Sequence, residues 1–377
     1  MKISLLSENL QKKLLFVNHA ISSHGQLPIL SNFLIEAKKG ILSIRATDLE
    51  IGINTNIPAK IEEEGITTTP AKTFSELISI IPSGKITLVL KKEGLELLGE
   101  KIKTVFQVLS PEDFPKLYEN IGEEIITIKK EFVDKEFKKV VFAASLDTGR
   151  PALSGVLIKE RRGKLLIVAT DGYRLSLKKY TLENKEDSRG NISLLVPSRV
   201  IKELILMGKE TEEIKIYAET QSNQIIFLQN EITLVGRLIE AEFPNYEKII
   251  PAKSSTKIVF DKEDLQKAIK TCYIFAREAA SMVNISIKKD KAIVSSNTPS
   301  VGENTVEIDV KTTGEEAEIA FNARYLLDLF SNIDAEVMSF EMTDSVSPGV
   351  FKIEKDDSFL HLIMPIRVQT ESPSEVS

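Results

Sequence analysis

Residues 168–175 read Val168-Ala169-Thr170-Asp171-Gly172-Tyr173-Arg174-Leu175. The run leading into them, Leu165-Leu166-Ile167-Val168, has the composition of a buried strand. Asp171-Gly172 is a tight-turn pair, because glycine accepts positive φ without steric cost. Beyond it Arg174-Leu175-Ser176-Leu177 alternates polar and apolar, like a returning strand. The stretch predicts a hairpin with Tyr173 and Arg174 displayed beside its turn.

Working outward, a helical stripe (Phe137, Val140, Val141, Ala144) precedes the hairpin. A second helix follows from Val196-Pro197-Ser198-Arg199, carrying Val200, Leu204 and Ile205, and further strands end at Phe243-Pro244. The same order occurs upstream. Ser7 reads as the N-cap of a helix bearing Leu10, Leu14, Val17 and Ile21; a strand-rich stretch runs from Leu27-Pro28-Ile29-Leu30 to Ala46-Thr47-Asp48-Leu49-Glu50. A helix bearing Phe74, Leu77, Ile78 and Ile81 is stopped by Pro82 and Gly84, and strands close at Phe114-Pro115. It occurs again downstream, with helices at Leu265, Ala268, Ile269, Cys272 and from Phe321-Asn322-Ala323-Arg324. Landmarks such as Asp48, Asp171 and Asn297 recur about every 125 residues, the size of a domain and too long for a solenoid unit. The expectation is α+β: three tandem copies of one helix-and-sheet domain, at 1–123, 124–251 and 252–368, with sheet on one side and helices on the other. The Glu/Ser-rich tail, 369–377, is expected to be disordered.

The 377 residues are 42% hydrophobic and 28% charged, the balance of an ordinary globular protein. No run approaches the roughly 18 apolar residues of a membrane span, and the N-terminus lacks the apolar core of a signal peptide. The single cysteine, Cys272, permits no internal disulfide; it fits a reducing cytoplasm and a core position on its helix. A net charge of −6 excludes binding nucleic acid by overall basicity, though not by a locally basic face.

Catalytic spacing is missing: there is no phosphate loop, no His pair at metal spacing and no Gly-x-Ser-x-Gly. The three histidines (His19, His24, His361) read as packed or surface residues, and Asp48 and Asp171 as turn formers. No catalytic residue, cofactor or metal is expected. The helices gather basic residues, among them Lys138, Lys139, Arg199 and Lys202, interspersed with acids, so a positive helix-lined face is open to an acidic protein.

Leu27-Pro28-Ile29-Leu30, Ala46-Thr47-Asp48-Leu49-Glu50, Ala169-Thr170-Asp171-Gly172-Tyr173-Arg174-Leu175 and the terminal Met364-Pro365-Ile366-Arg367, set in three tandem domains, together resemble the bacterial DNA sliding clamp family, the beta subunits of DNA polymerase III. The resemblance covers almost the whole chain. It implies a DNA clamp fold: a head-to-tail homodimeric ring of six domains, helices lining a hole for double-stranded DNA and sheets outside. It implies no catalysis, and tethering of the polymerase III alpha subunit, the clamp loader complex and other polymerases and repair proteins through a peptide cleft between the second and third domains, in the cytoplasm and without a membrane. Matched to the motif, the cleft comprises Leu153, Thr170, Gly172, Tyr173, Arg174, Leu175, Pro244, Lys248 and Ile249 with Asn322, Tyr325, Val346, Pro348, Leu362, Met364, Pro365, Ile366, Arg367 and Val368. His24, Arg150, Lys138, Lys139, Arg199 and Lys202 are implied to face DNA. Lys72, Lys101, Lys103, Phe106 and Val108 of one protomer are implied to meet Ile274, Phe275, Glu303 and Glu307 of the other.

Met364 and Phe106 each carry a competing reading as plain core residues. Tyr173 stands where the family often has His, Lys248 where it often has Arg, and Pro348 where a small polar residue is frequent. The chain also continues past Arg367-Val368. Two rival readings remain: a three-domain protein-binding scaffold that never encloses DNA, and a metal-dependent nuclease or hydrolase using Asp48 and Asp171.

Overall fold

The 168–175 stretch forms the predicted corner: Lys164–Thr170 and Arg174–Thr181 run antiparallel with Thr170 opposite Leu175. Gly172 turns the chain at φ +92°, a conformation a side chain rarely adopts. The computed structural model describes residues 1–22, 27–118, 120–147, 149–182, 192–208, 212–219, 223–278 and 280–367. His24, Val368 and the tail 369–377 lie outside them.

Among the described residues the strands form sheets of five, eight, nine and four strands. The eight-stranded sheet joins sequence repeats: Ile232–Arg237 pairs with Ile51–Pro58, Leu234 opposite Ile53. The nine-stranded sheet does the same at the next joint, where Arg174–Thr181 pairs with Asp356–Ile363, Leu177 opposite Leu360. Contacts consequently cluster into two bodies. One holds the described residues of 1–134 and 199–239, and the other those of 135–182, 192–198 and 240–367. The middle repeat contributes to both.

In the first body Ser7–Val17 and Ala71–Ile80 pack on each other and on strands of the sheets. Ser7 is not the N-cap. Leu6 holds that place, and the Ser7 hydroxyl donates to the Pro82 carbonyl at 3.0 Å and accepts from Gly84 N–H at 3.2 Å, tying the helix start to the loop after the second helix. The strand expected at Leu27-Pro28-Ile29-Leu30 is instead a tight helical turn, Pro28–Ser31, since Pro28 sits at its first position; the strand begins at Asn32. The stripe Phe137, Val140, Val141 and Ala144 is buried as expected, but its helix is interrupted by a wide π turn over Val133–Phe137. Asn297 lies inside a strand, Lys291–Thr298, rather than at a corner.

In the second body Asp261 caps Lys262–Ala276, its Oδ1 accepting from Glu263 N–H at 2.8 Å and Asp264 N–H at 3.2 Å. Leu265, Ala268, Ile269, Cys272 and Ala276 fall on its buried face. Cys272 is a core thiol whose pKa burial raises, a state unsuited to nucleophilic attack. Asn322 caps Ala323–Asn332, whose Leu326, Leu329 and Phe330 enter a core where Phe321, Phe340 and Phe351 meet, the closest ring centroids 4.8 Å apart. Gly349 is required there, because a Cβ would lie 2.5 Å from Phe321 Cζ and 2.6 Å from Phe340 Cε2. Gly349→Ala should therefore destabilise this body by about 1–3 kcal/mol through overpacking. The midpoint of urea unfolding followed by circular dichroism checks it, and an unchanged midpoint would mean the rings yield freely.

Candidate functional site

The corner at 170–174 is held by its own side chains. Thr170 Oγ1 donates to the Arg174 carbonyl at 2.6 Å and accepts from Gly172 N–H at 3.1 Å. Asp171 Oδ1 accepts from the N–H groups of Tyr173 at 2.9 Å and Arg174 at 3.0 Å. Asp48 acts alike in the first repeat, accepting from Glu50 and Ile51 N–H at 3.0 and 2.9 Å. Both aspartates are turn formers, and both also pair with an arginine, Asp48 with Arg199 at 2.6 Å and Asp171 with Arg174 at 3.1 Å. Among the described residues no group of three or more His, Cys, Asp or Glu is arranged to hold a metal.

Arg174 is the centre of the site. Its Nη1 donates to Asp328 Oδ2 at 2.6 Å and its Nη2 to the Phe142 carbonyl at 3.1 Å. Its guanidinium also lies over the rings of Tyr325, 4.8 Å from the centroid, and Phe142, at 5.5 Å. A planar fork with several fixed partners is suited to locking a strand end to a helix of another repeat, which lysine could not do. Tyr325 in turn stacks on Tyr173, centroids 6.4 Å apart and 17° between planes, with Tyr173 57% exposed. Asp328 and Phe142 were not singled out from the sequence. Asp328, three residues past Tyr325, lies on the same helix face, and that spacing was the available signal.

Register sets the rest. Gly349 and Arg174 both lie opposite Ile363, on either side of its strand. The next residue outward, Met364, therefore lies between Tyr173, whose carbonyl accepts its N–H at 2.8 Å, and Pro348. Ile366 N–H continues to the Ala320 carbonyl at 2.8 Å, two residues before Asn322. So the structure brings Tyr173, Arg174, Tyr325, Pro348, Met364, Pro365 and Ile366 together. Leu153 lies beside Gly172, its Cδ1 3.8 Å from where a Cβ would be. Leu175 and Leu362 are buried floor rather than exposed wall, whereas Met364, Val346 and Ile249 are 38%, 56% and 44% exposed. Pro244, Lys248 and Ile249 belong to the segment around the short turn Tyr246–Ile249, and Arg367 is exposed.

Behind the corner His361 is fully buried, stacked on Phe142 at 5.3 Å and bonded through Nδ1 to Ser176 Oγ at 2.6 Å. Burial, and then the nearby Arg174 charge, push its pKa down to about 3. It is a neutral structural histidine.

The basic residues differ in freedom. Lys138 and Lys202 are exposed, while Lys139 is paired with Glu136 at 3.0 Å, Arg150 with Asp147 at 3.3 Å and Arg199 with Asp48. Of the residues implied for protomer contact, Phe106 is 4% exposed and packs edge-on against Phe74 at 5.4 Å, as its core reading held. Ile80, to which the sequence motifs give no role, lies off the buried stripe of its helix and is 77% exposed. Ile274 is 57% exposed and Phe275 half-buried, and Lys72, Lys101, Glu303 and Glu307 are exposed. Lys103 pairs with Glu96 at 3.0 Å, Glu307 with Lys291, and Val108 is half-buried.

At His361 the unfolded chain binds a proton below the ordinary value of 6.5 and the folded chain does not until about 3, so stability is complete above 6.5 and lost as pH falls between them. At pH 5 this amounts to about 2 kcal/mol. A Ser176→Ala/His361→Phe variant should lose less stability between pH 7 and pH 5 by that amount, measured by urea unfolding at both pH values. Parallel losses in the two proteins would refute it.

No helix is long and apolar enough to cross a membrane among the described residues. Three family profiles tile the chain: the N-terminal, central and C-terminal domains of the DNA polymerase III beta subunit match residues 1–118, 127–245 and 247–367. The chain is 27% identical to the beta sliding clamp of Bacillus subtilis, over 97% of this chain and 100% of that protein. It is 29% identical to the beta sliding clamp of Chlamydia trachomatis, over 96% and 85%. The crystal structure of the Bacillus subtilis DNA polymerase sliding clamp superposes with a TM-score of 0.93 at 26% identity, covering 98% of this chain and 99% of that one. With the repeat, the fold and the corner in agreement, the chain belongs to the DNA polymerase III beta subunit family, the beta sliding clamps, which are non-catalytic processivity factors of DNA replication.

Proposed function

We propose that this chain works as a head-to-tail homodimeric ring of six clamp domains around duplex DNA in the cytoplasm, and that the cleft at Tyr173, Arg174, Tyr325 and Met364 holds partner peptides. The domains are 1–123, 124–251 and 252–368. Its partners are the polymerase III alpha subunit, the clamp loader complex and other polymerases and repair proteins that carry a clamp-binding peptide.

The observation that carries the peptide reading is the exposed Met364, seated by register between Tyr173 and Pro348 beside a rigid Arg174 centre. A soft apolar anchor beside aromatic rings suits Leu and Phe side chains from many partners. Met364→Ala should weaken a Leu/Phe-bearing polymerase peptide by about 1–2 kcal/mol in fluorescence polarisation. Undiminished affinity would reject the site.

Two sheet edges support the ring. Lys103–Phe106 ends the five-stranded sheet and Gly302–Asp309 ends the four-stranded one. An open edge with Lys101 and Lys103 and another with Glu303 and Glu307 are complementary, and joining them in two protomers closes a ring instead of a fibre. Lys101→Glu/Lys103→Glu should shift sedimentation toward monomer, and mixing it with a Glu303→Lys/Glu307→Lys variant should restore a mixed dimer, since one of its contacts is charge-swapped and the other unchanged. A dimer indifferent to both sets would move the interface elsewhere. For DNA, ion pairing of Lys139, Arg150 and Arg199 suits a clamp that slides: topology retains the duplex, and strong phosphate contacts would act as a brake.

A further inference from the structure

Beside the peptide cleft, and sharing Val346, Ile366 and Arg367 with it, lies a groove of about 750 Å³ under the outer edge of the strand Ala317–Asn322, which ends its sheet. That volume is within the range of ligand sites. Register shows which backbone groups face it. Ala323 N–H bonds inward to the Ser281 carbonyl, while the Ala320 carbonyl points outward to Ile366 N–H. Alternation along a strand then turns the N–H of Ala320, and both the N–H and C=O of Glu318, toward the groove. Among the described residues no hydrogen bond from the rest of the chain engages these three groups. The side chains around them are acidic: Glu315, Glu316 and Glu318 are exposed on one lip and Asp344 on the other, against the single cation Arg367.

We infer that this edge takes an extended, basic segment of a partner protein as an added strand, continuing the peptide held in the neighbouring cleft. Main-chain bonds to Glu318 and Ala320 supply pairing that is indifferent to sequence, and alternate Lys or Arg side chains meet the acidic lip and supply choice. An acidic segment is repelled by the same lip, so the choice of partner falls on basic segments. The inference rests on the cleft reading for its continuity, and its test separates the two.

Three synthetic peptides are compared on the full-length protein: a Leu/Phe-bearing core, the core extended at either end by alternating Lys and Val, and the same extensions with Glu for Lys. Affinity is read by fluorescence polarisation at low and moderate salt, and amide hydrogen exchange is read over residues 315–322. One basic extension should bind about fivefold tighter than the core, with the gain reduced by salt and abolished in Glu315→Lys/Glu316→Lys, and it should slow exchange of the Glu318 and Ala320 amides. Ala320→Pro, which removes only an outward donor, should lose part of the gain while still binding the core. Equal affinity of basic and acidic extensions, or unchanged exchange at Glu318 and Ala320, would overturn the inference even if the core binds. If the core fails to bind but a free basic strand still protects those amides, the groove stands and the cleft reading falls.

Discussion

The backbone ladder between residues 174–178 and 359–363 is the constraint on which the rest of the site depends. It hydrogen-bonds the second repeat to the third inside one sheet, so Tyr173 and Met364 are neighbours by register and not by side-chain adhesion. The ladder is reinforced where it could shear. At one end Arg174 binds Asp171, Asp328 and the Phe142 carbonyl. Four residues along, buried Lys178 bridges Glu136 at 2.8 Å and Asp356 at 3.0 Å. Such a buried cation is costly to desolvate and adds little net stability, but losing either partner strands a charge, so the pairing is specific. Between them, Ser176 Oγ bonds His361 Nδ1 at 2.6 Å in the interior.

This arrangement makes the cleft stiff before any partner arrives. Thr170 and Asp171 hold the corner's backbone, Arg174 holds Tyr325, and Tyr325 backs the exposed ring of Tyr173. A preorganised apolar surface spends little ordering entropy on binding, so short peptides can gain useful affinity from few contacts. Tyr173 enlarges the aromatic wall without disturbing what holds it, because the turn is set by its neighbours.

Charge is distributed in the same spirit. Arg199, which the family resemblance implies to face DNA, also holds the Asp48 turn through its guanidinium at 2.6 Å. That pair repeats in the first body the Asp171–Arg174 device of the second, with the arginine drawn from a different element. Using basic residues for internal pairing leaves a milder helix surface, consistent with a net charge of −6 on a protein that works on DNA.

By itself the sequence determined the repeat, the helix stripes, the Asp-Gly corner and the absence of a catalytic constellation, because these depend on local periodicity and turn chemistry. Phe137, Val140 and Val141 are buried as their spacing required, even though a π turn precedes them. The tertiary structure decided what depends on register and on partners distant in the chain. Leu175 and Leu362 became floor and Met364 became surface only once strands 174–181 and 356–363 were paired. Asp328 and Phe142 joined the site only through Arg174. The free backbone groups of Glu318 and Ala320 have no signature in the sequence at all, since every residue carries the same N–H and C=O and only the order of strands says which are left unpaired.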